Sequence, residues 1–281
     1  MLGLMQDWPL TVDRILDHAN TCFPQREVVT RNVETGQLTR SNYGAIWRNA
    51  KRVTNALKAR GIRLGDRVAT LAWNTDKHLE AWYGTMCMGA VLHTVNPRLF
   101  PEQIAWIINH AEDKVLFLDT TFVPIVEKIA PLLKTVETYV ILTDRAHMPA
   151  SFSVPYISYE EFIEGQPESA EWGGFDENTA CGLCYTSGTT GDPKGVLYSH
   201  RSNVIHAMAA NSVDCFGAGA NDVVLPVVPM FHANAWAIAF VAPMVGAKLV
   251  MPGGKLDGAS VYELLDGEKV TFTAAVPTVW Q

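Results

Sequence analysis

Apolar positions along this chain recur with two different periods, and the changes of period mark its elements. Tyr43, Ile46, Trp47, Ala50, Val53 and Leu57 recur at steps of three and four, predicting an amphipathic helix from Tyr43 to about Arg60. Ser41 or Asn42 caps it and Gly61 ends it. Short apolar runs then alternate with helical stretches. Strands are predicted at 67–72, 90–95, 115–118 and 138–142, and helices at 76–88, 101–111 and 123–133. Strands separated by helices imply a parallel sheet with right-handed crossovers. Before this series, a helix is predicted from Val12 to Ala19, a strand over 27–30 and a turn over 32–37.

From Thr143 to Asn178 the chain is loop-rich, with one short helix at 158–164, and it is taken as a linker or a return strand. Alternation resumes with strands at 180–185, 196–198, 222–228, 248–251 and 270–275. Helices are expected at 200–216, 234–245 and 258–267. The expected organisation is therefore α/β, with a first subdomain over 1–178 and a second over 179–281 that carries the chemistry below.

That chemistry sits in Thr186-Ser187-Gly188-Thr189-Thr190-Gly191-Asp192-Pro193-Lys194-Gly195, which follows the buried run 180–185. Its glycines let the backbone approach a ligand closely. The hydroxyls of Thr186, Ser187, Thr189 and Thr190 can donate to anionic oxygens, and Lys194 adds a mobile positive charge. The set suits a polyphosphate. It is not a Walker A loop: Pro193 stands where the second glycine belongs, and Gly195 where a Ser or Thr should hold magnesium. A second candidate is His232 in Pro229-Met230-Phe231-His232-Ala233-Asn234-Ala235-Trp236, just beyond an apolar strand, where α/β sheets place ligands. If a helix has begun by then, Trp236 shares its face.

These two segments resemble the phosphate loop and the aromatic–His motif of the adenylate-forming (AMP-binding) superfamily. The Phe-His-Ala-Asn-Ala-Trp form is most similar to medium- and long-chain fatty acyl-CoA synthetases. The resemblance implies stacked, mostly parallel sheets with flanking helices, as the incomplete large N-terminal domain of that fold. It implies an AMP-forming acyl-CoA ligase that converts a carboxylic acid and ATP to an acyl-adenylate and passes the acyl group to coenzyme A. It also implies catalytic roles for Lys194 and His232, nucleotide contacts from Thr186, Ser187, Gly188, Thr189, Thr190, Gly191 and Lys194, and a Mg2+ contact from Thr186. His232, Asn234, Ala235 and Trp236 would bind the acid, Trp236 at the acyl tunnel. Family members run to about twice this length. The adenine, ribose and late-lysine motifs are absent, so an N-terminal part that does not make acyl-CoA by itself is expected. A homodimer is an expectation for the full-length protein. Two other readings stand beside this one: a non-catalytic nucleotide- or acyl-binding module, and a kinase or NTPase. Within the ligases, aromatic and small thioether acids also stay open.

Composition narrows the picture. The 281 residues are 48% hydrophobic and 18% charged, enough for a sizeable core. A net charge of −7 gives nucleic acid no electrostatic footing. Five scattered cysteines, at 22, 87, 181, 184 and 215, suggest reduced thiols and a cytoplasmic setting. Cys181 and Cys184, three apart on the expected strand, should face opposite ways. No apolar run predicts a transmembrane segment. His200 and His206 lie on nearly opposite sides of their helix and are read as structural.

Overall fold

The computed structural model describes residues 1, 3–151, 153–186 and 192–280. Its strands are β1 (Glu27–Arg31), β2 (Leu38–Asn42), β3 (Arg67–Leu71), β4 (Val91–Thr94), β5 (Val115–Leu118), β6 (Thr138–Ile141), β7 (Tyr156–Ser158), β8 (Ala180–Thr186), β9 (Lys194–Ser199), β10 (Val223–Pro226), β11 (Lys248–Met251) and β12 (Phe272–Ala274). They form two sheets, ordered β12-β10-β11-β1-β2 and β7-β6-β5-β3-β4-β8-β9. Every pairing is parallel except the hairpins β1–β2 and β8–β9. The predicted α/β class with stacked, mostly parallel sheets is what the chain adopts.

Helices fill the space between and outside the sheets. One core cluster joins the helices Asp13–Cys22, Tyr43–Ala59, Asp76–Met86, His200–Ala210 and Ile238–Val245 to Val28, Val224 and Leu249 of one sheet and Leu92 and Cys181 of the other. A second apolar layer packs helices Pro101–Ala111 and Val123–Ile129 on the seven-stranded sheet. Another covers the five-stranded sheet with helix Gly258–Gly267. The helix at Tyr43 starts as predicted, Asn42 Oδ1 accepting the Ala45 amide at 2.9 Å. It crosses Asp76–Met86 so closely that a Cβ on Gly84 would lie 2.7 Å from the Ala50 carbonyl. The hydroxyl of Tyr43 donates to the carbonyl of Ala247, just before β11, and that of Tyr83 to the carbonyl of Ala239 in helix Ile238–Val245.

The chain does not complete one sheet before starting the next. β1 and β2 belong with β10–β12, whereas β3 to β9 build the other sheet. The boundary expected at 178/179 therefore does not fall at the change of sheet, because β8 and β9 stay with β3–β7. Strand β2 was not foreseen: its first three residues are exposed, so it carries no apolar alternation.

Candidate active site

β8 runs parallel to β4 inside the sheet and then turns back as β9. Tyr185 pairs with Gly195 and Thr186 with Lys194, so β8 and β9 are the two arms of a hairpin, β8 being mostly buried. Ser187, Gly188, Thr189, Thr190 and Gly191 lie outside the described residues. At the stem, the Thr186 hydroxyl is 3.5 Å from the Lys194 carbonyl, and both side chains are exposed. A Cβ on Gly195 would sit 3.2 Å from the Tyr185 ring, so this glycine lets the two strands close. Ser199 caps the following helix, which ends at Ala210 rather than at 216.

Behind Tyr185 lies a buried polar column. His93 Nδ1 is 2.6 Å from Asp113 Oδ2, both fully buried, and the His93 ring packs 5.1 Å from the Tyr185 ring. Burial raises the Asp113 carboxyl despite the imidazole beside it. On the far side, His110 Nδ1 is 2.6 Å from the Tyr185 hydroxyl. The strand end that presents the loop is thus fixed on two sides.

The second segment departs from expectation. A helix was expected from about residue 234, but Ala233, Asn234, Ala235, Trp236 and Ala237 all have positive φ, between 45° and 69°. They form a left-handed turn, and the right-handed helix begins only at Ile238. His232 is the extended residue before this turn and lines a cleft, whereas Trp236 packs against the central core. Left-handed backbone costs non-glycine residues about 1–2 kcal/mol each. A buried polar set holds it here. Asn234 Nδ2 donates to Asn203 Oδ1 at 3.1 Å, and Asn203 Nδ2 contacts Cys181 Sγ at 3.1 Å. Cys184 Sγ lies 3.2 Å from the Thr94 hydroxyl and 3.9 Å from Asn234 Oδ1. Both cysteines thus reach the same carboxamide pair, against the opposite faces expected from their spacing. The β-bulge between Ala180 and Gly182 supplies the reason, since one extra residue reverses the parity of a strand. Burial pushes both thiols up, Cys181 to about 12.

Two adjoining clefts open beyond the carboxyl ends of β4, β8 and β10. One, of about 330 Å³, is lined by Asn96, Tyr185, Thr186, Tyr198, Phe231 and His232 among others. The other, of about 610 Å³, shares Asn96, Phe231 and His232, adds Arg98 and Thr278, and is otherwise mostly apolar: Val227, Pro229, Leu256, Val276 and Val279. The structure so brings Thr186 and His232 to one cleft. Lys194 stands across the hairpin from Thr186 and lines neither cleft. Within the turn, Asn234 and Ala235 are buried, and Trp236 is half-buried against the central core. Asn96 and Arg98 were missed. Their signal was a polar Asn-Pro-Arg run directly after an apolar parallel strand, the same signal that picked out His232. His200, read as structural, is buried and accepts the Val12 amide at 3.2 Å; burial lowers its imidazole to about 4.

Comparison with known proteins identifies the family. The family model described as AMP-binding enzyme matches residues 16–281, so the chain belongs to the AMP-binding enzyme family. The 3-methylmercaptopropionyl-CoA ligase of Ruegeria lacuscaerulensis is 49% identical over 100% of this chain and 52% of its own length. The long-chain-fatty-acid–CoA ligase of Thermus thermophilus is 50% identical over 98% of this chain and 49% of its own. Among solved structures, the anthranilate CoA ligase AuaEII in complex with anthranoyl-AMP superposes with a TM-score of 0.85 at 25% identity. That match covers 98% of this chain and 51% of AuaEII. The chain spans about half the length of these relatives. No helix among the described residues is long and apolar enough to cross a membrane.

Proposed function

We propose that this chain is the nucleotide- and acid-binding N-terminal part of an AMP-forming acyl-CoA ligase acting on aliphatic carboxylic acids. The observation that carries the reading is the cleft shared by Thr186 and His232, continuous in its lining with the larger, mostly apolar one. A carboxylate is a poor acceptor for a thiol because its leaving group is an oxide ion. Its attack on the α-phosphorus of ATP forms an acyl-adenylate and releases pyrophosphate, and the thiol of coenzyme A then displaces AMP. This chain's part in the first step is to position groups and stabilise charge. The hairpin turn from Thr186 to Lys194 would hold the departing pyrophosphate. His232 would orient the carboxylate, with Arg98 and Asn96 beside it. The apolar wall formed by Val227, Pro229, Leu256, Val276 and Val279 would take the chain of the acid.

Magnesium fits this site only in part. Among the described residues no group of three or more His, Cys, Asp or Glu could hold a metal ion, and Thr186 offers one neutral hydroxyl. A magnesium ion with so few protein ligands is held mainly by nucleotide phosphates, where it neutralises their charge.

A thioether acid is a second reading, favoured by the two Ruegeria 3-methylmercaptopropionyl-CoA ligases, 49% and 46% identical over the whole chain. A pyrophosphate-release screen of the full-length ligase, with ATP and coenzyme A across aliphatic, aromatic and thioether acids, tests both. Release with medium- or long-chain acids and stoichiometric AMP is expected. Release confined to 3-methylmercaptopropionate favours the second reading. An ADP product, or no pyrophosphate with any acid, overturns the ligase assignment.

A further inference from the structure

The segment that delivers His232 is held by a side chain from the other sheet. β10 is flanked by β12 and β11. The β12 side stays paired through Pro226, and Val228 continues it by donating to the Ala274 carbonyl at 2.8 Å. The β11 side ends early, at Val224 opposite Leu249. Just beyond β11, Gly253 turns the chain away with φ +63°, and a Cβ there would lie 2.5 Å from the Arg31 carbonyl. The carbonyls of Pro226 and Val228 and the amide of Met230 would otherwise face a gap. Pro226 and Pro229 bring no amides of their own to fill it.

Asn74 fills it. Its Nδ2 donates to the carbonyls of Pro226 and Val228, both at 2.9 Å, and its Oδ1 accepts the Met230 amide at 2.9 Å. Its backbone bridges antiparallel to Gly253, whose amide donates to the Asn74 carbonyl at 3.1 Å. Asn74 is 4% exposed and follows β3 of the seven-stranded sheet by three residues. One carboxamide supplies the two donors and one acceptor that a neighbouring strand would have offered. Aspartate lacks the donors, and leucine, similar in shape, lacks all three groups.

We propose that Asn74 is a positioning residue of the site: standing in for the missing strand, it fixes residues 226–230 and thereby the place of Phe231 and His232. The inference rests on the reading of His232 as part of the acid site, and its test has one arm that does not need activity. In the 281-residue chain, Asn74→Ala should accelerate hydrogen–deuterium exchange at the Met230 amide while the β3 amides keep their wild-type rates. Asn74→Ser, which keeps one hydroxyl, should give an intermediate rate, and it carries the measurement if the alanine variant does not fold. Unchanged Met230 exchange overturns the proposal. In the full-length ligase, Asn74→Ala should lower kcat/KM for the acid about 10²-fold, the scale of a roughly 1 Å misplacement, with KM for ATP unchanged. Combined with His232→Ala, the further loss should shrink severalfold, because one residue acts through the other. A full additive loss, or equal losses for acid and ATP, overturns the proposal. A wild-type ligase that activates no acid would refute the functional reading instead, leaving the exchange measurement to decide the role of Asn74.

Discussion

Replacing Ala233 by glycine should leave the fold little changed or strengthen it, unlike the usual effect of such a change inside a helix. Ala233 opens the left-handed turn with φ 45° and is half-buried. Glycine removes a backbone cost of about 1–2 kcal/mol. Against that, the unfolded chain gains freedom worth about 0.4–1 kcal/mol. Part of a methyl's burial is lost as well, about 0.4 kcal/mol for a half-buried group. On these figures the balance runs from about 0.4 kcal/mol against the variant to about 1.2 kcal/mol in its favour, short of a helix-interior loss at either end. Were residues 233–237 the right-handed helix that their alanines suggest, the same change would cost about 1 kcal/mol. Ala209→Gly is an internal control, because Ala209 is exposed in the right-handed helix His200–Ala210 and should show that cost. Urea unfolding followed by tryptophan fluorescence gives the midpoints, compared at equal m-value. A loss at Ala233 as large as that at Ala209 would refute the left-handed assignment.

Three further outcomes follow from the described contacts. Lys194→Ala in the full-length ligase should slow adenylation about tenfold to a hundredfold, the worth of a charge-assisted contact of about 1.5–3 kcal/mol. An unchanged pyrophosphate burst would take Lys194 out of the site. Trp236→Ala should change the ratio of specificity constants for short and long acids more than KM for ATP; a uniform drop with a lowered melting temperature would leave the indole a purely packing role. Burial raises the Glu80 carboxyl to about 8, between the Tyr159 hydroxyl at 2.6 Å and Asn49 Nδ2 at 2.9 Å. With its folded pKa above the unfolded 4.5, the folded state keeps a proton that the unfolded state has released. Its contribution is therefore complete below about pH 4.5 and falls as pH rises towards 8. Glu80→Gln should flatten that decline, by up to about 1.4 kcal/mol per pH unit. Unfolding curves at pH 6 and 8 with the same difference in both proteins would contradict it.

Most elements were legible because their local signals and their tertiary setting agree. The helix at Tyr43 has its period, its Asn42 cap and Gly61 with φ +80°. The paired strands β8 and β9 on either side of residues 187–191 match the strands expected at 180–185 and 196–198. What stayed hidden depends on partners far away in sequence. Ala233–Ala237 has a helix-forming composition, and the contacts that accompany its left-handed backbone, the Asn203–Asn234 pair and the buried thiols, come from distant parts of the chain. Cys181 was placed on the wrong face because a bulge leaves no mark in an apolar run. Asn74 looks like an ordinary loop asparagine until the strand it replaces is known to end early. Arg98 and Asn96 were within reach of the strand-end rule applied to His232.

The placement of β1 has a consequence for synthesis. Val28 and Val29 pair with Leu249 and Val250, so β1 waits for a partner made about 220 residues later. At ordinary ribosomal speeds of roughly 5–20 residues per second, that interval lasts about 10–40 s. Through it, β1 has only its hairpin mate β2, and an isolated hairpin is marginal in water. The seven-stranded sheet can close in the meantime, since β3 to β9 are contiguous in the chain. A nascent chain of this protein should therefore carry an apolar, unpaired strand edge near its N-terminus until β11 is translated, which is the segment a ribosome-associated chaperone would find first.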